Sequence, residues 1–243
     1  DGFYAAGERV VAAVEPADGF DFLRWTGDAE GASPLVEIDV NGPKTLIAKM
    51  AASEGPRRAY VLNAAGPTPS ACVAPGSIIA IYGDQLARQV SYSPPDLLPQ
   101  TLGGVVVSAG EQLLSLLYVS PLQINAILPA DMPAGEHLLS ISGEDIAAAQ
   151  AGFEVCRNAP GLFSIVEEDT AWAAATGENG RAITSRQPAR PGEVITLYGT
   201  GFGPLRPAPP DGFPVPAEPL FPVADEVELY WQNTRLPVER AVA

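Results

Sequence analysis

The stretch Pro75–Gly83, PGSIIAIYG, returns as Pro191–Gly199, PGEVITLYG. Five of the nine positions are identical, and two more exchange one aliphatic side chain for another. Proline and glycine shape a turn into a strand, and alternation then places Ile79 and Ile81 on one face with Ile78, Ala80 and Tyr82 on the other. Gly83 allows a sharp exit. The second copy keeps this register with Ile195 and Leu197. The phrase reads as the second strand of a β-sandwich, written once in each of two domains.

The sequence around each copy supports that reading. From Ala59 onward, short apolar runs recur with turn signals between them: YVLNAA, SIIAIYG, GGVVVSAG, LLSLLYVS, INAILP, HLLSISG and AGFEV. Such spacing, without helical periodicity, predicts an immunoglobulin-like sandwich over 59–158. After the hinge RNAPG, a second unit repeats the plan over 159–243 through GRAITS, EVITLYG, EVELYWQ and TRLPVE. Upstream, ERVVAAVEP, FDFLRWTGD, LVEIDV and TLIAKM alternate with the turns PADG, GDAEG and VNGP, which predicts a small β module over 1–52. Phe20 and Phe22 share one face of their strand, and Trp25 reads as packing with them.

Composition narrows the function classes. The 243 residues include 24 Gly and 25 Pro, too much punctuation for long helices. The 29 acids against 14 bases give a net charge of −15, which repels phosphate backbones and anionic lipid heads. Nucleic-acid binding and membrane insertion are therefore not expected. The uncharged stretch Gln112–Ala130 carries Pro121, Gln123, Asn125 and Pro129, and reads as strands and a turn.

Two family resemblances follow from these residues. YAAGERVVAAVEPADGFDFLRWTGD with the closing strand TLIAKM resembles the divergent InlB B-repeat of bacterial surface proteins, over about residues 1–50. VAPGSIIAIYGDQL, LPQTLGGVVVS, LLYVSPLQINAILP, NAPGLFSI and ITSRQPARPGEVITLYGTGFGP resemble the Ig-like domain pair near the C-termini of secreted Acidobacteria (Solibacter-type) proteins, over about 59–243. The resemblance implies an extracellular or cell-surface, non-catalytic β-sandwich module of a larger protein.

The second unit stops at RLPVERAVA, where a counterpart of the hairpin LLYVSPLQINAILP is expected to come next. The first expectation is that the sequence is cut short there. The sharper one is a strand donated by another chain, which would make the protein a self-assembling filament subunit.

Chemistry-bearing residues are sparse. Cys72 precedes the second strand of the first sandwich and Cys156 ends its last strand, at the same pole. This predicts a disulfide, with two buried thiols as the alternative. The single histidine, His137, reads as a solvent-facing strand residue. GTGFG at Gly199–Gly203 is followed by GPLRPAPP rather than a helix, so it reads as a strand corner rather than a phosphate cradle. The acids Asp28, Glu30, Glu167, Glu168, Asp169, Asp225 and Glu226 read as solvated loops; no cofactor is expected, with weak calcium binding the one ion reading left open.

Pro204–Val223 carries eight prolines and presents Leu205, Phe213, Val215, Leu220 and Phe221. These are the candidate partner-binding residues, with a strap across an open sandwich edge as the competing account. Trp231 follows Tyr230, so one of the two faces outward if that strand alternates.

The overall expectation is a non-enzymatic structural or adhesive module whose partner is protein or polysaccharide at the cell exterior. The alternatives are a polysaccharide-docking accessory region of a secreted enzyme, and the strand-completed filament subunit.

Overall fold

A computed structural model describes residues 4, 5, 7–14, 16, 17, 20–31, 33, 35–52, 57–66, 72–209, 214–216 and 218–243. Its secondary structure is β throughout, with no helix among these residues. The chain divides between Arg57 and Arg58 into two compact units. The sequence-based boundary at 158/159 falls inside the second of them.

In the first unit, β1 (Glu8–Ala13) pairs antiparallel with β3 (Leu35–Val40), and β2 (Phe20–Gly27) with β4 (Leu46–Ala52). Strict alternation along β2 would send Phe22 and Trp25 to opposite faces. A bulge between Phe22 and Arg24 shifts the register, so Trp25 turns back beside Phe22 with ring centroids 5.5 Å apart. Trp25 is only 6% exposed, whereas Phe20 is 51% exposed.

The second unit is built on one ten-stranded antiparallel sheet that curls into a sandwich. Its strands are β5 (Arg57–Asn63), β6 (Ile78–Gly83), β7 (Ser91–Tyr92), β8 (Thr101–Leu102), β9 (Val105–Ala109), β10 (Gln112–Leu113), β11 (Ser115–Val119), β12 (Gln123–Ile127), β13 (Gly135–Gly143) and β14 (Ala149–Val155). They follow the order β10-β9-β13-β14-β5-β6-β12-β11-β7, with β8 beside β9. Alternation is clean where one face is buried: Val105, Val107 and Ala109 on β9, Ile124 and Ala126 on β12, Leu139 and Ile141 on β13. Residues from both ends of the order meet in one hydrophobic cluster whose members all lie between Ala59 and Val155.

β6, the first copy of the repeated phrase, is central. β5 pairs with one edge, from Ala59 opposite Gly83 to Asn63 opposite Ile79. β12 pairs with the other, from Gln123 opposite Tyr82 to Ile127 opposite Ile78. Ile79 and Ile81 are fully buried, as their alternation predicts. At the pole, Val73 forms a parallel bridge to Val155, and the neighbouring Cys72 and Cys156 are joined by a disulfide with Cα atoms 5.8 Å apart.

The remaining strands are short: β15 (Gly161–Leu162), β16 (Ser164–Glu167), β17 (Thr170–Ala173), β18 (Ala175–Gly177), β19 (Ile195–Leu197), β20 (Gly199–Thr200), β21 (Leu229–Trp231) and β22 (Thr234–Leu236). They form separate pairs, β15 with β20, β16 with β17, β18 with β19, and β21 with β22. β19 is the second copy of the phrase, and its burial differs from that of β6. Ile195 is 37% exposed where its counterpart Ile79 is fully buried. The reason is lateral: β19 pairs only with β18 among the described residues.

A seam of backbone and small side chains locks these strands to the first sandwich. The Ile78 amide, at the start of the first copy, donates to the Thr200 hydroxyl just beyond the second copy, at 2.9 Å. Asn63 is buried and donates from Nδ2 to the Ala159 carbonyl at 2.6 Å, while its Oδ1 accepts from the Ala65 amide at 2.8 Å. The Ala159 amide in turn donates to the Gly201 carbonyl at 2.8 Å.

The glycines of GTGFG are required here by close approach. A Cβ on Gly199 would meet the Gly161 carbonyl oxygen, and one on Gly201 would meet the Ala159 carbonyl oxygen and Asn63 Nδ2. Gly201 and Gly203 also have φ of +82° and +94°. The strand corner read from sequence is thus also a docking seam.

Reducing Cys72–Cys156 opens a loop of 84 residues. On the chain-entropy account this costs roughly 4 kcal/mol, so the melting temperature of unit two should fall by several degrees in reductant. Thr200→Val keeps the shape but leaves the Ile78 N–H without its acceptor. It should destabilise by about 1–3 kcal/mol in chemical denaturation, well beyond the effect of an exposed threonine substitution.

Candidate functional site

The outward face of β5-β6-β12-β11-β7 gathers the most distinctive set of exposed side chains in the second unit. Tyr60 on β5 lies opposite Tyr82 on β6, which lies opposite Gln123 on β12. One row along, Asn125 on β12 lies opposite Tyr118 on β11, and Tyr118 opposite Tyr92 on β7. A bulge between Leu116 and Tyr118 sets the parity of β11, sending Leu116 into the core and Tyr118 outward.

Tyr60, Tyr82 and Tyr92 are 64%, 41% and 72% exposed. The Tyr92 and Tyr118 rings lean together with centroids 5.2 Å apart. Gln123 Nε2 donates to Asn125 Oδ1 at 2.8 Å, leaving the Gln123 oxygen and Asn125 nitrogen without a protein partner among the described residues. Ala80 sits low between the larger side chains and is 2% exposed. Four strand spacings separate β5 from β7, so the face is about 19 Å across.

No Asp or Glu lies on these outward strand positions, in a chain of net charge −15. Arg58, which shares the outward face of β5 with Tyr60, is the charged side chain here; the rest of the strip, tyrosine rings and amides, offers flat apolar surface with hydrogen-bonding edges. That combination suits a neutral, hydroxyl-rich, planar-faced ligand. The pattern could have been found in the sequence only by knowing the strand order. Each tyrosine occupies an ordinary outward position on its own strand.

Of the five candidate residues of the proline-rich segment, four are described. Phe221 is 6% exposed, and its amide and carbonyl both bond to Ala243. Leu205 is half-buried and bridges Val223. Val215 and Leu220 are exposed at 39% and 44%, and Phe213 lies outside the described residues. The segment's base is therefore tied down on both sides, by Leu205 and by the 241–243 strand.

No protein-family profile and no curated protein matches the chain. Among solved structures it is similar to SGBP-B of the mixed-linkage glucan utilization locus of Bacteroides ovatus, solved in complex with a mixed-linkage heptasaccharide. The identity is 12% and the TM-score 0.28, with 94% of this chain and 61% of that chain covered. The chain thus spans less than two thirds of that protein's length.

Several of the candidate acids have local partners. Asp28 accepts from the Thr45 amide and lies 3.7 Å from Lys44, and Glu30 lies 3.5 Å from Arg24. Glu167 accepts from the Ser185 amide, which lowers its pKa. Glu226 pairs with Arg235 at 2.7 Å. Among the described residues no three His, Cys, Asp or Glu side chains converge as a metal site. His137 is half-buried rather than solvent-facing: its Nε2 bonds the Pro133 carbonyl at 2.8 Å and its ring lies against Phe153.

Arg157 and Asp225 form a two-pronged pair, with Nε and Nη2 donating at 2.8 and 2.7 Å. This fork, followed by a bond from Asn158, holds the Asp225 carboxyl below the usual aspartate range. Because the folded value is depressed, the pair's contribution is fully present above the unfolded pKa of about 3.9 and is lost as pH falls through the lower folded value. The melting temperatures of the wild type and Asp225→Asn should therefore differ by a constant amount above about pH 5, with the difference shrinking below about pH 4 and vanishing only beneath the lowered folded value.

Proposed function

We propose that the chain is a non-catalytic, extracellular docking module that binds a neutral polysaccharide on the Tyr60–Tyr82–Gln123–Asn125–Tyr118–Tyr92 face. That face is the observation that carries the reading. Tyrosine rings stack on the apolar faces of sugar rings, while the free amide groups of Gln123 and Asn125 meet hydroxyls. The absence of carboxylates there avoids desolvating charge against an uncharged ligand. An extracellular setting is supported by the Cys72–Cys156 disulfide, a bond that persists in oxidising compartments.

This is the role of an accessory or adhesive region in a larger secreted or surface protein. The structural part of the proposal lies in the seam, which makes the docking sandwich and the strands beyond it one compact unit.

Affinity electrophoresis in gels cast with neutral β-glucans, xylan, mannan and starch tests the reading directly. The wild type should be retarded by at least one of them. Tyr60→Ala with Tyr82→Ala should restore free mobility while changing stability by no more than about 1 kcal/mol, since both rings are exposed. Equal mobility of wild type and double variant in every gel would sink the proposal.

A further inference from the structure

On the tyrosine face, the two ring pairs stand at opposite ends of two neighbouring rows. Tyr60, Tyr82 and Gln123 make one row across β5, β6 and β12. The next row runs Leu62, Ala80, Asn125, Tyr118 and Tyr92 across β5, β6, β12, β11 and β7. The rings therefore lie on a diagonal, with the bonded amides of Gln123 and Asn125 at its middle. Low ground fills the corner beside it, where Ala80 is buried and Leu62 half-buried. Arg58 lies on the other side of Tyr60, off the diagonal.

The centres of the ring pairs are three strand spacings apart, about 14 Å, too far for a disaccharide to stack on both. Adjacent strands of a twisted sheet are turned by roughly 20–25°, so three steps turn one ring pair against the other by roughly 60–75°. The bulge between Leu116 and Tyr118 adds to that turn. A single chain of sugar rings follows such a surface by rotating about its glycosidic bonds. The flat face of a crystalline polymer does not: laid on one ring pair, it stands clear of the other.

We propose, on the polysaccharide reading above, that the face is a pair of aromatic subsites for one free, neutral sugar chain lying along the diagonal, and not for a crystalline polymer surface. Each ring pair stacks on the sugar above it, and the Gln123 oxygen and Asn125 nitrogen meet hydroxyls of the sugars between. Once a chain is held at one pair, contact with the other is intramolecular. Affinity therefore rises steeply at the chain length that spans both.

The test is calorimetric titration of the whole chain with cello-, xylo-, manno- and malto-oligosaccharides, from disaccharide to hexasaccharide. In at least one series the affinity should rise at least tenfold between trisaccharide and pentasaccharide, then level off. Tyr60→Ala with Tyr82→Ala, and separately Tyr92→Ala, should each return the hexasaccharide to about the affinity of the trisaccharide. Both variants should still bind the trisaccharide, because each keeps one complete ring pair. Wild type mixed with a crystalline powder of the same polymer should stay in the supernatant, while the amorphous, swollen form removes it.

The absence of a step in every series would overturn the proposal, as would a step that survives both variants. So would removal by the crystalline powder equal to that by the amorphous form. Each of these leaves retardation in the gels intact. Failure of the polysaccharide reading itself is a different result, in which no gel retards the chain and no series binds.

Discussion

Everything beyond Val155 depends on a few backbone hydrogen bonds that a single side chain on either side makes reachable. Thr200 offers its hydroxyl to the Ile78 amide, and Asn63 spans from the Ala159 carbonyl to the Ala65 amide. Both are buried, so these bonds form away from competing water, and each leaves an unsatisfied polar group if its partner is removed. Hydrophobic burial cannot take over this work. The buried cluster ends at Val155, and beyond it the buried apolar side chains among the described residues are Ala159, Ala175 and Phe221. Strands with so little core hold their place by attachment to the sandwich that has one.

That division separates stability from recognition. The inner faces of β6, β12 and β11 carry the core, with Ile79, Ile81, Ile124, Leu116 and Val119 fully buried. The outer faces of the same strands carry the tyrosines and amides. Alternation lets each strand serve both purposes without compromise, because a side chain on one face does not constrain its neighbour on the other. The side chains of the tyrosine face can thus vary without disturbing the packing beneath.

The parts of the fold legible in the sequence were those set by local pattern. Strand alternation placed Ile79 and Ile81 inward, and the positions of Cys72 and Cys156 at strand ends brought them to one pole. What local pattern could not give was lateral order. Ile195 occupies the same place in its phrase as Ile79 but has different neighbours in space, and these determine burial. The tyrosine face is hidden for that reason: its rings and amides come from five strands whose order, β5-β6-β12-β11-β7, no single stretch encodes. Bulges hid more. Trp25 and Tyr118 both owe their direction to an extra residue in the ladder. GTGFG read as a strand corner because the demand for glycine arises from a carbonyl some forty residues away.

A chain that writes one phrase twice must also keep its copies from exchanging places while it folds. Chain entropy gives little help, because moving a strand tens of residues further along alters loop closure by only about half a kcal/mol. The differing letters do more. Ser77 is 1% exposed and bonds the Ala74 carbonyl at 2.6 Å, and the second copy has Glu193 in its place. Ala80 is 2% exposed, and the second copy has Thr196. Seating the second phrase in the first slot would bury a carboxylate and a hydroxyl with no partners provided for them. In its own slot Glu193 meets Arg181 at 2.8 Å and the Arg190 amide at 2.9 Å. The four positions where the copies differ thus include the ones that tell the folding chain which copy is which.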